Sequence, residues 1–136
     1  MAICKKKERM QNLIIVGHPD EKSFCYNGIF KTIQKTLLEN DGKDRYLNEI
    51  EVIDLYRDSF QRPRTDLIEK YKELVKWADR IYFVSPVWWF RLTPRMEIFF
   101  DEVLTPGYAY NFVPGIGPYA YPRPFLSDKK VRTYIT

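Results

Sequence analysis

The sequence predicts an α/β protein built on a parallel, doubly wound sheet, and three observations predict it. Four short runs, residues 12–17, 50–55, 80–85 and 130–136, read as strands, and the first is continuous enough in apolar residues to be buried on both faces. Stretches with apolar residues at helical spacing separate the runs, which implies crossover connections and therefore parallel strands. The loops after the first and third runs carry turn residues and aromatics, at the ends of the strands where such sheets bind ligands. At 136 residues the chain makes one domain around a single core.

Taken in order, residues 1–11 form a basic N-terminal lead, and the domain proper spans 12–136. Lys5, Lys6, Lys7 and Arg9 carry much of the net charge of +4. A solvated lead is the common reading of such a cluster. No basic-aromatic stripe accompanies it, so nucleic-acid binding is not indicated. After the first strand comes a turn-rich loop, Gly17-His-Pro-Asp-Glu-Lys-Ser23, with Ser23 as N-cap of a helix that turns Tyr26, Phe30, Ile33 and Leu37 to one side. Asn40-Asp41-Gly42 ends it. Residues 57–64 read as loop, and a helix over 66–77 lines up Leu67, Tyr71, Leu74 and Val75.

Beyond the third strand, Ser85-Pro86 opens a loop presenting Trp88, Trp89 and Phe90. Met96, Phe99, Phe100, Val103 and Leu104 then recur at three and four, and Pro106-Gly107 stops that helix. Residues 113–124 look too broken by Pro and Gly for regular structure. No apolar run approaches the ~20 residues of a membrane span, and no signal peptide is visible. Cys4 and Cys25 lack CxxC spacing and read as free thiols of a reducing cytoplasm. With His18 as the only histidine, the residues favour no metal site.

Two loops carry candidate chemistry. The 17–23 loop opens a helix, so its backbone N–H groups and the helix dipole suit a phosphate, with His18 and Ser23 as further donors. It is neither GxGxxG nor a Walker loop. On pattern alone, a capped turn with an incidental histidine is the commoner reading. The aromatic stretch also reads two ways, as a core helix with a hydrophobic loop tucked under it or as the cover of a flat apolar ligand. Covering ~200 Å² of ring corresponds to roughly 5 kcal/mol.

Residues 83–110 resemble the flavin-binding loop and following helix of the NAD(P)H:quinone oxidoreductase and modulator of drug activity family. Pro86, Trp89, Phe90, Asp101, Gly107, Tyr108, Ala109 and Tyr110 fit its pattern without a gap, and the similarity runs from Asn12 to Thr136. The resemblance implies a flavodoxin-like, three-layer αβα fold holding FMN or FAD. His18, Ser23, Phe24 and Cys25 would serve the flavin phosphate. Pro86, Val87, Trp88, Trp89 and Phe90 would lie along the ring, where fixed N–H donors stabilise the charge that reduction adds. The implied reaction is hydride transfer from NAD(P)H to flavin N5, then release of two electrons to a quinone-like acceptor.

Tyr110, Asn111 and Phe112 match the family's aromatic lid on the substrate side. A hydrophobic cluster under a long loop is an equal reading of Tyr108, Tyr110 and Phe112. Three positions depart from the pattern: Cys25 where relatives often have Asn, Arg91 where they have Gly, and Pro94 one place late. Arg91 has two destinations, a cofactor phosphate or water.

The family's third flavin loop, its catalytic Tyr and His, and its last helices and fifth strand would follow residue 136. A C-terminally truncated relative is therefore expected, with no catalytic residue assigned and weakened cofactor affinity. An open edge at the fourth strand and a partly bare sheet face predict a homodimer or pairing with another chain. The alternative to an enzyme is a non-catalytic flavodoxin-like binding or regulatory subunit, or an inactive relative.

Overall fold

Strand β1 (Glu8–Val16) is the axis of the molecule, because Leu13, Ile14, Ile15 and Val16 are all 0% exposed. The structure, a computed structural model, describes residues 8–41, 43 and 46–136. Strands β2 (Tyr46–Asp54) and β3 (Arg80–Ser85) flank β1, and β8 (Lys130–Ile135) pairs with β3, all in parallel. The sheet order is β2-β1-β3-β8. Alternation along β1 sends Leu13 and Ile15 to one face and Ile14 and Val16 to the other, so each face has its own core.

On the first face lie α2 (Thr65–Trp77) and α3 (Pro94–Val103), which contribute Tyr71, Val75, Met96, Phe99 and Val103 to a core shared with Ile81 and Phe83. Among the described residues, the second face carries one helix. It starts as a π-helical segment, Cys25–Phe30, and continues as α1 (Lys31–Glu39). Its buried residues Cys25 and Phe30 are five apart, a spacing that a π turn brings onto one side and an α turn does not. Asp79 fastens the amino ends of the strands: its carboxylate accepts from Gln11 N (2.9 Å) and its carbonyl from Lys130 N (3.0 Å). Among the described residues, no helix is long and apolar enough to cross a membrane.

The element order matches the expectation, with differences at the ends and in the loops. Strands β1 and β2 begin four residues earlier than the apolar runs, because Glu8 to Gln11 pair with Tyr46 to Glu49 in a partly exposed ladder. Arg9, expected in the lead, is bonded to Glu49 at 2.6 Å. Cys4, Lys5, Lys6, Lys7 and Gly42 lie outside the described residues.

Residues 113–124 were expected to be irregular, yet β6 (Tyr110–Pro114) and β7 (Ala120–Pro124) form an antiparallel hairpin. Pro122 and Pro124 stand opposite Phe112 and Tyr110. At that parity the N–H points away from the partner strand: Phe112 N–H goes to Asn111 Oδ1, and Tyr110 O accepts from Gly107. The prolines therefore remove no ladder bond.

Candidate functional site

In the order β2-β1-β3 the chain leaves β1 for one side and returns on the other, which opens a crevice beyond the carboxyl ends of β1 and β3. Gly17, the first residue after β1, donates its N–H to Val84 O (2.9 Å) and accepts at its carbonyl from the buried Thr93 hydroxyl (2.9 Å). A Cβ on residue 17 would lie 2.9 Å from Met96 Cε and 3.2 Å from Thr93 Oγ1, so the missing side chain lets the first loop close on α3.

His18 Nδ1 accepts from Asp20 N (2.9 Å), which puts the proton of the neutral ring on Nε2 as a donor. Asp20 Oδ1 accepts from Lys22 N (2.8 Å), and Ser23 Oγ accepts from Tyr26 N (3.2 Å) as the expected cap. Among the described residues, the N–H groups of Phe24 and Cys25 have no partner, as befits the first donors of a helix.

The second loop is a tight hairpin, β4 (Val87–Trp88) against β5 (Arg91–Leu92). Its two turn residues are Trp89 (φ 51°) and Phe90 (φ 63°), which are 91% and 99% exposed. Two-residue turns with both φ angles positive ordinarily take Asn-Gly. A bulky residue held there costs about 1–3 kcal/mol, and with both rings in solvent no packing within the described chain offsets it. The turn's own N–H groups, on Trp89 and Phe90, likewise have no partner among the described residues. The His18 ring meets Trp88 edge-to-face at 5.7 Å, so the two loops touch.

A third loop, after β2, braces the first. Arg57 donates to Glu21 Oε1 (2.7 Å) and to the carbonyls of Pro19 (3.0 Å) and His18 (3.3 Å). Arg95 of α3 holds that loop in turn, donating to Leu55 O (2.7 Å) and stacking 4.9 Å from both Tyr56 and Phe60. Burial raises the Asp54 carboxyl, with Arg57 opposing, and burial together with the Asp54 charge raises the Tyr26 hydroxyl.

Arg57, Thr93 and Arg95 were not expected at the site. Thr93-Pro94 is a helix-start signal that marks Thr93. Nothing in the sequence pattern marks the two arginines, whose hydrogen-bond partners are 36 to 40 residues away.

His18, Pro86, Val87, Trp88, Trp89 and Phe90 all fall at the crevice, on two loops joined by the His18–Trp88 contact. Ser23 caps the helix beside them. Cys25 is 1% exposed, with its Sγ 3.2 Å from Thr136 Oγ1, so its side chain reaches no ligand and only its N–H remains available. The Phe24 ring folds over Gly28 and lines a cleft beside α1. Arg91 is exposed and bonded to Glu97 Oε1 (3.0 Å). Tyr110 and Phe112 pack edge-to-face on each other (5.5 Å), and among the described residues neither stacks on Trp88, Trp89 or Phe90. Asn111 is exposed between them. Tyr108 is a structural anchor, its hydroxyl donating to Lys72 O (2.6 Å) and pushed up to about 12 by burial.

A family model described as the flavodoxin-like fold matches residues 10–136. Among curated proteins, the uncharacterized NAD(P)H oxidoreductase YdeQ of Bacillus subtilis (strain 168) is 31% identical over 104 residues, covering 76% of this chain and 47% of that protein. Among solved structures, an NAD(P)H:quinone oxidoreductase from Methanothermobacter marburgensis is 28% identical with a TM-score of 0.64, over 76% of this chain and 57% of that one. Smu.1420 from Streptococcus mutans UA159 is 25% identical with a TM-score of 0.67, over 93% and 67% respectively. The chain thus spans about half the length of the curated relative it matches.

Proposed function

The chain belongs to the flavodoxin-like fold family, and on that premise we propose that it binds a flavin, FMN or FAD, and acts as a cytoplasmic NAD(P)H oxidoreductase with a quinone-like acceptor. The observation that carries this reading is the Trp89-Phe90 turn, where two large rings and two unpartnered N–H groups are held outward in a costly backbone conformation. Backbone strain of that kind persists at ligand clamps.

In this reading His18 Nε2, with the N–H groups of Phe24 and Cys25 at the Ser23-capped helix start, takes the phosphate. Pro86, Val87 and Trp88 support the ring, and Trp89 and Phe90 offer it N–H donors that need no rearrangement when negative charge develops. A flavin held by these residues would supply hydride and two-electron transfer between NAD(P)H and the acceptor. Tyr110, Asn111 and Phe112 contribute the acceptor side. Their hairpin exposes Phe112, Ile116, Tyr119 and Tyr121 together, which also suits it to contact within a homodimer.

The test is a titration with FMN and with FAD followed by flavin fluorescence. The expected result is saturable quenching, weakened about tenfold or more by Trp89→Ala, a loss of roughly 1.4 kcal/mol. NADPH oxidation with a quinone is then expected. Quenching without turnover would leave a flavin-binding subunit in place of an enzyme, and no quenching by either flavin would sink the reading.

A further inference from the structure

Arg57 sits on a fixed mount at the end of β2. Asp54 O accepts from both Arg57 N (3.1 Å) and Asp58 N (3.0 Å), which sets the turn. The guanidinium lies 5.3 Å over the Tyr26 ring, with Asp54 Oδ2 at 3.9 Å, so its direction is set from the sheet side. Its Nε then donates to Glu21 Oε1, and its Nη1 meets the carbonyls of Pro19 (3.0 Å) and His18 (3.3 Å).

These two carbonyls decide what the His18 ring can do. A trans peptide points its C=O and its N–H in opposite directions. With Pro19 O turned onto Arg57, the Asp20 N–H of the same peptide points away from Arg57, and it ends on His18 Nδ1 at 2.9 Å. The His18 carbonyl turns to the same donor without displacing any N–H, because Pro19 carries none. Nδ1 is thereby occupied as an acceptor, and the proton of the neutral ring stays on Nε2. Among the described residues no bond joins Arg57 to the imidazole, so the peptide between them is the link.

We propose that Arg57 is the positioning residue of His18: by holding the Pro19–Asp20 peptide it keeps the Asp20 N–H on Nδ1, and so presents a donor at Nε2 to a phosphate. The opposite tautomer would offer that anion a lone pair. The identity of the phosphate as that of a flavin rests on the function proposed above, and the orientation of His18 rests on geometry alone. Without Arg57 the Pro19 carbonyl is free to turn to water, and the Asp20 N–H turns with it because the peptide moves as one plane.

The test starts on the ligand-free protein, isotopically labelled in nitrogen, at mildly alkaline pH where an imidazole is neutral. His18 is the only histidine, so its ring nitrogens are identified at once. A scalar coupling across the hydrogen bond between Asp20 N and His18 Nδ1 is expected in the parent protein and absent in Arg57→Met, which keeps an aliphatic stem over Tyr26. Arg57→Lys, with one charged donor and no fork, should regain part of it. Amide resonances elsewhere report that each variant is folded. A second arm compares FMN with riboflavin, which has the same ring and no phosphate. Arg57→Met should weaken FMN about tenfold and leave riboflavin within about twofold. Coupling that survives Arg57→Met, or equal loss for the two flavins, overturns the assignment. If the parent protein binds neither flavin, the flavin reading falls, and the coupling alone decides the role of Arg57.

Discussion

Trp89 and Phe90 occupy backbone conformations that suit asparagine and glycine, and both rings stand in solvent. A residue chosen for stability would not be either one. Replacing the pair, Trp89→Asn with Phe90→Gly, supplies the preferred residues of this turn class without removing any buried contact. The variant is expected to unfold at higher denaturant by about 1 kcal/mol or more while losing flavin binding. Urea midpoints and the flavin titration on the same sample check both halves. A variant that is less stable and binds normally would mean the turn is neither strained nor functional. The sequence placed these aromatics at the crevice but held no sign of the hairpin, because the turn has none of the residues that announce one.

At the scale of elements, the site is a set of loops whose mutual positions are fixed by a few bonds. Thr93 joins the first loop to α3, Arg57 joins the third to the first, and Arg95 joins α3 to the third. Thr93→Val keeps the shape and leaves the Gly17 carbonyl buried without a donor, so a loss of about 1–3 kcal/mol is expected. Flavin affinity should fall with it, because His18 and Trp88 would no longer be held together. Equilibrium unfolding and the titration measure the two effects, and unchanged affinity would show that the loops hold without this bond. Helices α2 and α3 and strand β3 were legible because burial on one stripe or both faces leaves a periodic trace. The β6–β7 hairpin was not, because the parity that makes its prolines harmless depends on register, which the partner strand decides.

For the molecule as a whole, stability should respond to base through the buried Tyr71 and the half-buried Tyr108. Burial, with Asp58 as hydrogen-bond partner, raises Tyr71 above its ordinary range, and burial raises Tyr108 from 10.0 to about 12. A group whose folded pKa is raised contributes stability that is complete below its unfolded value and is lost as pH climbs through the folded one. The protein should therefore lose stability between about pH 10 and 12, and Tyr108→Phe should lose less over that window. Below it, the same variant should be weaker by about 1 kcal/mol for the lost bond to Lys72 O. Urea midpoints on either side of pH 10 would show it, and parallel pH profiles for the two proteins would refute it.

By itself the sequence determined the α/β class, the order of the main elements, and the two loops that flank the crevice. Each of these follows from local composition: apolar runs, helical spacing, and turn residues next to them. Only the tertiary structure decided that Cys25 is sealed against Thr136, that Trp89 and Phe90 are held at positive φ, and that Arg57 and Arg95 brace the site. It also decided that Arg80, Lys130 and Arg132, on strands 50 residues apart, line one cleft. These outcomes depend on which residues meet across long sequence separations, and no local pattern records a meeting that only strand order and register bring about.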